Sequence, residues 1–474
     1  MKMKKFIIPI ILGLSIVSCS GFLEKEPVEQ ISINDQFSTK EGVLKALNGA
    51  YYNTRSSIFT ISTYTYGDLL SGNLTFSPNS SGTSQGTVNV PSAIELLYNF
   101  IDDSNSSDLA QSYTNNYQII NNINLIIENI DKASDINDQE KNSVLAEAYA
   151  LRAFIHYQLL RFYAQNYTYT SDANHPGIVY NTRTLVVGVD YPARNTVNEC
   201  YTLLENDLNK ALSLYQDSNA IPVGSTKNFM NKNAAKTLAA IIALDKEDYT
   251  KAISFATDII DNSGIQLSET NDYIQNFAVN ESIFEIANTN ENESYIKNFY
   301  SPKAGYSNYA ITDNVFQLFD SNDQRLNLIK TTSIQTKEGS TIFMKDYHFT
   351  KKYDTSITGL VYRLSELYFI RAEAAFKSGN TTNALADINS IRNRAGLNNL
   401  TTISLDDILT EKRKEFIFEN KYFFDLMRNH KGITRESGCI STTCSLAYPN
   451  NKFVAPIPLD AIKINSYIKQ NPGY

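Results

Sequence analysis

Two pairs of helices joined by very short turns constrain the fold of this chain more than any other feature of its sequence. In the first pair, AAKTLAAIIAL and DYTKAISFATDIID flank the turn Asp245-Lys246-Glu247; in the second, YRLSELYFIRAEAAFKSGN leads directly into TTNALADINSIRNRAGL. Small residues stand where the two helices of each pair would meet, namely Ala239 with Ala252 and Ala374 with Ala384. A helical hairpin of about 34 residues with this pattern is typical of a tetratricopeptide repeat.

The other periodic segments are also helical. The stretch NSVLAEAYALRAFIHYQLLRFYAQ is apolar on two sides, so a helix formed by it must pack between neighbours. Residues 197–215 predict its partner, and further helices are predicted over residues 38–52, which begin with a Ser-x-x-Glu capping box, and over residues 108–133. The sequence therefore predicts an all-α, mainly helical fold with a few short strands, among them a hairpin near TTSIQTKEGSTIFMKDYHF.

Two stretches without helical periodicity are candidates for a ligand surface. Residues 64–91 are rich in Ser, Gly, Asn and Thr and predict a long exposed loop. Residues 262–361 separate the two helix pairs and contain Tyr-rich loops. Insertions in repeat arrays lie on one face, often the binding face, and long loops in compact domains are usually functional or disordered.

The N-terminus predicts export and attachment to a membrane. Three lysines precede an apolar run, residues 6–17, that is too short to span a bilayer as a helix of about 20 residues. Residues 1–18 are therefore interpreted as a signal peptide, and Ile16-Val17-Ser18-Cys19 resembles a bacterial lipobox, in which Cys19 is diacylated and becomes the new N-terminus. The alternatives are an uncleaved anchor, or ordinary cleavage near Ser18 with Cys19 incidental.

The charge balance argues against nucleic acid as a partner. Removal of residues 1–18 leaves 39 Lys and Arg against 50 Asp and Glu, a net charge of −11. Binding to nucleic acid needs basic stripes that replace counterions. No segment after residue 18 is apolar enough to cross a membrane.

Three cysteines remain after Cys19. In an oxidising setting the pair Cys439 and Cys444 is expected to close a small disulfide loop, worth roughly 2 kcal/mol in chain entropy, rather than to bind metal or stay free. Cys200 lies in a helical pattern and is expected to be a buried, small apolar residue. The four histidines show no paired spacing, and no metal or other cofactor is predicted.

Motifs that would indicate catalysis are weak. Residues 82–86 match G-x-S-x-G, but the strand before and the helix after it that a nucleophile elbow needs are missing. The acidic runs 102–108 and 320–323 lack the Gly and closing Glu of a calcium loop. Carboxylate pairs that hydrolyse glycosides are defined by spatial separation, and nothing in the sequence marks one pair. No catalytic residue is predicted.

Four segments together resemble the SusD/RagB family of surface nutrient-binding lipoproteins of Bacteroidetes, along the whole mature chain. They are CSGFLEKEPVEQISINDQFSTKEGVLKALNGAY, AEAYALRAFIHYQLLRFYA, the block SELYFIRAEAAFKSGNTTNALADINSIRNRAGL with ILTEKRKEFIFENKYFFDLMR, and the ending APIPLDAIKINSYIKQNPGY. The chain departs from the family pattern at Asn420, where Gly is usual, and at Tyr422-Phe423, where an Arg-Trp pair is common. These positions are expected on a packed helix.

The resemblance implies four tetratricopeptide-like helix pairs as a scaffold, from which loops build the ligand surface. It implies a single domain over residues 19–474, with an N-terminal part of about 19–300 and a C-terminal part of about 301–474. It also implies an outer-membrane lipoprotein facing the cell exterior, with a SusC-like TonB-dependent transporter as partner and an oligosaccharide as ligand. Peptide capture on the same scaffold, or a helical-repeat adaptor that binds protein, are the alternatives; a surface glycosidase lacks a motif.

Aromatic residues in the two loop stretches are the candidates for binding the sugar. A pyranose needs flat apolar surfaces and hydrogen-bond partners, and the chain has no Trp but 30 Tyr and 24 Phe. Tyrosine supplies both a flat ring and a hydroxyl. The predicted ligand-binding residues are Tyr64, Tyr66, Asn73, Phe76, Tyr295, Tyr300, Tyr306 and Tyr309. The competing interpretation is that many of these side chains pack against the helices.

Overall fold

The structure is a computed structural model that describes residues 32–216, 219–222, 224–275, 280–287, 295–354, 358–436 and 438–474. The predicted signal peptide and Cys19 lie outside these residues. Within them, none of the helices combines the length and the hydropathy that crossing a bilayer requires.

The described residues are mainly helical. The helices are α1 (Ile33–Gln36), α2 (Lys40–Ile58), α3 (Ile61–Leu70), α4 (Glu95–Asn99), α5 (Ala110–Asn129), α6 (Asp138–Tyr163), α7 (Val197–Leu214), α8 (Lys232–Asp245), α9 (Tyr249–Asn262), α10 (Thr270–Gln275), α11 (Tyr295–Tyr300), α12 (Asp313–Phe316), α13 (Leu364–Lys377), α14 (Thr381–Arg394), α15 (Leu405–Glu415), α16 (Tyr422–Arg428) and α17 (Leu459–Ile464). The strands are β1 (Leu74–Phe76), β2 (Ser282–Ile286), β3 (Tyr309–Ile311), β4 (Ile329–Glu338), β5 (Thr341–Thr350), β6 (Gly359–Arg363), β7 (Ile433–Thr434) and β8 (Ser445–Leu446).

Four helix pairs form the scaffold. Helix α2 packs against α5, α6 against α7, α8 against α9, and α13 against α14, and successive pairs touch through α5 with α6, α7 with α8, and α9 with α13. The insertion between the third and fourth pairs therefore leaves the stack and returns to it. The predicted helical fold and the two short-turn hairpins are confirmed.

Helix α6 is the central helix, as its two apolar stripes predict. The Asn137 side chain accepts a hydrogen bond from the Glu140 N–H, and the Glu140 side chain accepts one from the Asn137 N–H. This capping box fixes the start of α6. One side packs on α5 and the other on α7. On the α7 side, Arg152 donates from Nε to Asp207 (2.8 Å), and both side chains are buried. This buried ion pair holds the second helix pair together.

The helix predicted from residue 38 begins and ends differently in the structure. Thr39, rather than Ser38, caps α2 by accepting a hydrogen bond from the Gly42 N–H. Ser38 instead donates its hydroxyl to the Asp35 carbonyl (2.8 Å), and α2 continues past Tyr52 to Ile58. Of these two adjacent hydroxyl residues only Ser38 is followed three positions later by Glu, so the capping-box pattern indicated the wrong one by one residue.

The long exposed loop predicted over residues 64–91 is wrong in its first part. Residues 61–70 form α3, which is buried along almost its whole length, and residues 74–76 form β1. Hydroxyl side chains here form hydrogen bonds with the backbone and not with solvent. Thr63 donates to the Ile58 carbonyl (2.8 Å) and Thr65 to the Ile61 carbonyl (2.6 Å). Polar composition therefore concealed a buried helix.

The largest sheet has four antiparallel strands in the order β1-β3-β5-β4. Strands β4 and β5 form the predicted hairpin, paired from Ile329 with Thr350 to Glu338 with Thr341. Its base is covered by the protein and its tip is largely exposed. Two shorter sheets pair β2 with β6 and β7 with β8.

A network of buried charges surrounds Arg363 at the start of α13. Its guanidinium, only 1 % exposed, donates to Glu281 (2.7 Å), Glu415 (2.7 Å) and Glu419 (2.9 Å). Lys352 donates to Glu419 as well (2.7 Å). These contacts join the insertion, α13 and α15 in addition to apolar packing, such as that of Phe369 on Phe416 with ring centroids 5.6 Å apart.

Asn420 is not on a helix, contrary to the sequence-based expectation. It precedes α16 with a φ of 58°, a left-handed conformation that Gly adopts most easily and Asn tolerates. Its side chain accepts a hydrogen bond from the Gly67 N–H (2.6 Å) and donates to the Thr63 carbonyl (2.8 Å). The departure from Gly therefore ties this turn to α3.

Candidate ligand-binding site

The eight residues predicted to bind the ligand fall into three groups. Six have buried side chains: Tyr64, Tyr66, Asn73, Phe76, Tyr300 and Tyr309. Tyr306 is 66 % exposed, and Tyr295 begins α11 but its side chain lies outside the described residues. Five of the buried side chains pack within the protein in this structure, whereas Phe76, although buried, lines a cavity described below. Direct contact with a ligand therefore stays a prediction for Tyr306, Tyr295 and Phe76.

Four of the buried residues do meet, together with Tyr353 and Phe418, and we call these six rings the aromatic floor. Ring centroids are 5.4 Å apart for Phe76 and Tyr309, 5.8 Å for Tyr300 and Tyr309, and 6.3 Å for Tyr64 and Tyr300. The Tyr300–Tyr309 pair packs edge to face and the other two pairs are tilted; an edge-to-face pair at such a distance is favourable beyond the apolar area it buries. Burial raises the pKa of the Tyr300 hydroxyl well above its usual value. The floor is a support, because no face of Tyr300 reaches solvent.

The other two buried residues have structural partners of their own. Asn73 donates from Nδ2 to Asp68 (2.7 Å) and accepts from Arg413 Nε at Oδ1 (2.6 Å). Burial raises the pKa of Asp68 to about 6. Tyr66 packs edge-on against Phe162, with ring centroids 5.0 Å apart. Both residues connect α3 to its neighbours.

Two loops stand above the aromatic floor and are joined to each other. The Ser77 N–H donates to the Asn308 carbonyl (2.8 Å), and the Asn89 N–H donates to Ser307 Oγ (2.9 Å). Loop 77–90 and loop 301–308 therefore form one continuous wall. The exposed Tyr306 belongs to this wall.

The tip of the β4–β5 hairpin approaches the same wall. The Lys337 N–H donates to the Gly86 carbonyl (2.9 Å). Gly86 has a φ of 84°, and a Cβ at this position would lie 3.2 Å from the Lys337 Cβ, so both backbone conformation and close approach favour glycine. Between hairpin and wall lies a cavity of about 440 Å³. Its described lining residues are Thr75, Phe76, Thr87, Val88, Thr336, Lys337, Glu338, Gly339, Lys345, Tyr347, Gly438 and Ile440.

A disulfide loop closes the remaining side of the cavity. Cys439 and Cys444 form a disulfide. The Gly438 carbonyl accepts a hydrogen bond from the Thr75 hydroxyl (2.6 Å), and the Ile440 N–H donates to the Tyr98 hydroxyl (3.3 Å). A short cross-link restricts the chain between its ends, so this segment is positioned both covalently and by hydrogen bonds.

We call loops 77–90 and 301–308, the hairpin tip 335–345 and the disulfide loop 438–444 together the loop surface. Four exposed large apolar side chains lie there: Tyr306, Ile342, Met344 and Ile440. The threonine hydroxyls and the lysines of the cavity lie among them. The surface thus combines apolar contact area with hydrogen-bonding groups, which is the composition of a small-molecule site.

Sequence reasoning missed Ile342, Met344 and Ile440. Ile342 and Met344 are two residues apart in β5, so strand geometry places them on one face. The same alternation would describe a buried face equally well, and the sequence does not indicate which face of a hairpin is covered. Ile440 follows Cys439 directly, and its exposure depends on how the disulfide loop is docked.

Alternative sites found in the sequence have ordinary structural roles. Residues 82–86 form a turn between two loop segments, not the junction of a strand and a helix that a nucleophile elbow needs. Asp103 accepts hydrogen bonds from the N–H groups of Asn105 (2.7 Å) and Ser106 (2.9 Å). Among the described residues, no cluster of His, Cys, Asp or Glu is arranged to hold a metal ion.

A narrower crevice opens beside Arg161 on α6. Arg161 stacks on the Phe424 ring at 3.7 Å and donates to the Asn420 carbonyl (3.1 Å). The free space is about 60 Å³, far below the roughly 300 Å³ at which ligand pockets begin. It is large enough for water but not for a sugar ring.

The chain is similar to proteins of one known family. A model of the SusD family matches residues 282–474, and a family model described as starch-binding and associating with the outer membrane matches residues 21–244. SusD-like protein P2 of Formosa agariphila is 25 % identical over 541 residues, covering 100 % of both chains. The starch-binding protein SusD of Bacteroides thetaiotaomicron is 34 % identical over 127 residues, covering 26 % of this chain and 22 % of that protein.

Solved structures agree with these matches. A SusD superfamily protein from Bacteroides vulgatus superposes with a TM-score of 0.78 and 26 % identity, covering 92 % of this chain and 100 % of that one. Surface glycan-binding protein A from Bacteroides uniformis superposes with a TM-score of 0.68 at 18 % identity, covering 91 % and 99 %, which shows the shared fold alone. The two family models, which together match residues 21–244 and 282–474, and a relative aligned over its full length lead to one conclusion: the chain belongs to the SusD family.

Proposed function

We propose that this protein binds an oligosaccharide at the loop surface and delivers it to a SusC-like TonB-dependent transporter in the outer membrane, without catalysing a reaction. The observation that carries the proposal is the exposed Tyr306 on a wall beside a cavity of about 440 Å³. Pockets for small ligands typically measure about 300–1,000 Å³. One or two sugar units fill such a space, and the remaining units of the oligosaccharide lie along the exposed apolar side chains of the protein.

The chemistry of the lining supports a sugar ligand. Thr75, Thr87 and Thr336 provide hydroxyls, and Lys337 and Lys345 provide ammonium groups. Each of these hydroxyls donates within the protein, to the carbonyls of Gly438, Ser84 and Ile334, and its oxygen can still accept a hydrogen bond from a sugar hydroxyl. The family model described as starch-binding and the relative named as a starch-binding protein support the same ligand class.

The proposal that the protein does not catalyse hydrolysis rests on the carboxylates. Glycoside hydrolysis uses two of them on either side of the scissile bond. Among the described residues that line the cavity, Glu338 is the one carboxylate. One such carboxylate among the described lining residues supports a role in holding a glycan and releasing it unchanged.

We further propose that Cys19 is lipidated and that the protein faces the cell exterior. The lipobox and the family description of association with the outer membrane support this placement. Two acyl chains give stable attachment, whereas one gives only marginal binding. Delivery to a transporter requires this arrangement, because the ligand must be captured outside the barrier that the transporter crosses.

Replacing Cys19 by Ala is expected to move the protein from the membrane fraction to the soluble fraction while leaving its affinity for the sugar unchanged. The physical reason is that the anchor and the loop surface are separate parts of the chain. Cell fractionation followed by immunoblotting measures the first effect, and calorimetric titration of the purified variant measures the second. Retention of the variant in the membrane fraction through washing at high salt would contradict the lipid anchor.

Replacing Tyr306 by Ala is expected to weaken binding of the sugar about tenfold, since loss of a stacking Tyr costs roughly 1–2 kcal/mol. Tyr306→Phe keeps the ring and should stay within about threefold. Calorimetric titration against a panel of glycans provides the measurement. Tyr52→Ala is the matched control, because Tyr52 is also exposed but lies on α2. Equal affinities of Tyr306→Ala and Tyr52→Ala would show that the ligand binds elsewhere.

Peptide capture is the second candidate, and the position of β4 favours it. This strand is one of the two edges of the four-stranded sheet, and an edge strand can pair with an extended peptide. The same panel extended with peptides separates the two. If peptides release heat on titration and glycans do not, the ligand is a peptide and the oligosaccharide proposal is wrong.

A further inference from the structure

A second group of exposed apolar side chains lies away from the loop surface. The turn at residues 183–191, which we call the valine turn, exposes Val186, Val187, Val189 and Tyr191. Val187 is 98 % and Val189 71 % exposed. Exposed apolar residues that occur singly are ordinary, but a contiguous group of them marks a contact surface.

The valine turn is held in one conformation. The Arg183 guanidinium donates to both oxygens of Asp190 (3.0 and 2.6 Å), and the Val186 N–H donates to Asp190 Oδ2 (2.7 Å). The N–H groups of Val189 and Asp190 donate to the Val186 carbonyl (3.1 and 3.0 Å). Gly188 has a φ of 78°, which allows the tight reversal. Its valines are therefore displayed by a preformed turn.

The same contacts prepare the turn for an apolar medium. The charges of Arg183 and Asp190 neutralise each other, and Asp190 satisfies a backbone donor. Unsatisfied backbone groups are costly in lipid, where no water can replace the missing bond. A turn with paired charges and internally bonded N–H groups loses less on leaving water than an ordinary polar loop.

The turn lies near the point at which the described chain begins. The Thr184 N–H donates to Glu128 on α5 (2.7 Å), and one helical turn further Lys132 donates to Asn34 (2.8 Å). Asn34 is in α1, beside the exposed Ile33. The segment from Cys19 to Ile31 has 13 residues and reaches at most about 45 Å. A lipid on Cys19 would keep this side of the protein near the bilayer.

The C-terminal helix adds apolar and aromatic side chains at the base of the turn. Asn465, at the end of α17, donates to the Pro192 carbonyl (2.7 Å). On either side of it, Ile464 and Tyr467 are largely exposed. Tyrosine is enriched where protein meets the surface of a membrane.

We propose that the valine turn, with Ile464 and Tyr467, contacts the lipid surface of the outer membrane as a second attachment point beside the acylated Cys19. This inference rests on the proposed lipid anchor, which brings the turn to the bilayer. Insertion of a few apolar side chains is weak by itself. Combined with the anchor it fixes the orientation of the protein, because two points of attachment restrict rotation that one allows.

The absence of Trp from the sequence makes a direct test possible. The probe is the unlipidated chain, residues 19–474 with Cys19→Ala, carrying Val187→Trp, mixed with vesicles of phosphatidylethanolamine and phosphatidylglycerol. We expect the emission of the single indole to shift to shorter wavelength and to be quenched by brominated lipid. The matched control is Ile342→Trp at the hairpin tip, where the native side chain is 59 % exposed, and its emission should not change. Equal responses of the two indoles, or no response from Val187→Trp, would overturn the proposal.

A second pair of variants measures binding itself. Val187→Asp with Val189→Asp should lower the vesicle partition coefficient of the unlipidated chain at least tenfold, whereas Ile342→Asp with Met344→Asp should leave it unchanged. An unchanged partition coefficient in the first variant would overturn the lipid contact. If that variant instead loses affinity for the transporter protein while its partitioning to vesicles is unchanged, the turn is a protein interface. Sugar titration of the same variants reports separately on the proposed function.

Discussion

Replacing Arg363 by Met is expected to lower the free energy of unfolding by about 3–5 kcal/mol, because it leaves three buried carboxylates without their shared cation. Arg363 contacts Glu281, Glu415 and Glu419 within 2.9 Å, and all are buried. Met fills a similar length, so the loss is mainly electrostatic. The midpoint of urea unfolding at neutral pH measures it.

The control for Arg363→Met is Lys45→Met. Lys45 pairs with Glu41 (2.7 Å) on the exposed face of α2, and water screens such a pair so strongly that its loss should scarcely change the free energy of unfolding. If the two variants lose a comparable free energy of unfolding, the prediction is wrong. The buried network would then reorganise around neutral partners or water, and its charges would not be coupled.

Acid provides a second measurement on the same network. Burial by itself would raise the pKa of Glu415, but Arg394, Arg363 and Arg325 hold it well below its usual value, and Arg363 and Lys352 likewise lower the pKa of Glu419. A carboxyl with a lowered folded pKa stabilises the protein above the unfolded pKa of about 4.3 and loses that contribution as pH falls. We therefore expect the free energy of unfolding to fall steeply below about pH 4.5, and to fall less steeply in Arg363→Met.

Replacing Tyr300 by Ala is expected to lower the free energy of unfolding by about 3–5 kcal/mol, as for other large buried aromatic residues. The ring touches Tyr64, Tyr309, Tyr353 and Phe418 in the aromatic floor. A cavity at this position removes contacts from four neighbours at once. Thermal unfolding by circular dichroism measures the loss.

Tyr300→Phe separates packing from recognition. Among the described residues, the Tyr300 hydroxyl is buried without a hydrogen-bond partner, so its removal should change stability by less than about 1 kcal/mol. Sugar affinity should also be unchanged. Weaker binding in Tyr300→Phe at unchanged stability would identify the hydroxyl as a ligand contact and contradict its role as a support.

Helical periodicity made most of the scaffold predictable. The pairs α8 with α9 and α13 with α14 have apolar stripes, short turns and small residues at the crossing, and all three point to the same structure. Helix α3 was not predictable in this way, because its threonines bond to the backbone of the preceding turn and read as loop residues. Local polarity indicates exposure only when the polar groups lack partners within the chain.

The candidate site stays a prediction, but the meeting of the two loop stretches that were proposed for it is seen in the structure. Loops 77–90 and 301–308, which belong to those stretches, are joined by hydrogen bonds, and Tyr64, Phe76, Tyr300 and Tyr309 meet in one cluster. Which tyrosine faces outward depends on the pairing of β1 with β3 and on the docking of the hairpin, and neither follows from composition. Sequence identifies aromatic residues in loops that meet, whereas their division into enclosed and exposed rings is a property of the tertiary structure.

The aromatic floor separates two demands that many binding proteins place on the same residues. Rings that hold the loops in position are enclosed, and the exposed side chains project from the loop surface above them. Under the proposed function, a change at position 306 or 342 alters what is bound at little cost to folding. Such a division lets related chains acquire new specificities by single substitutions while the layer beneath stays constant.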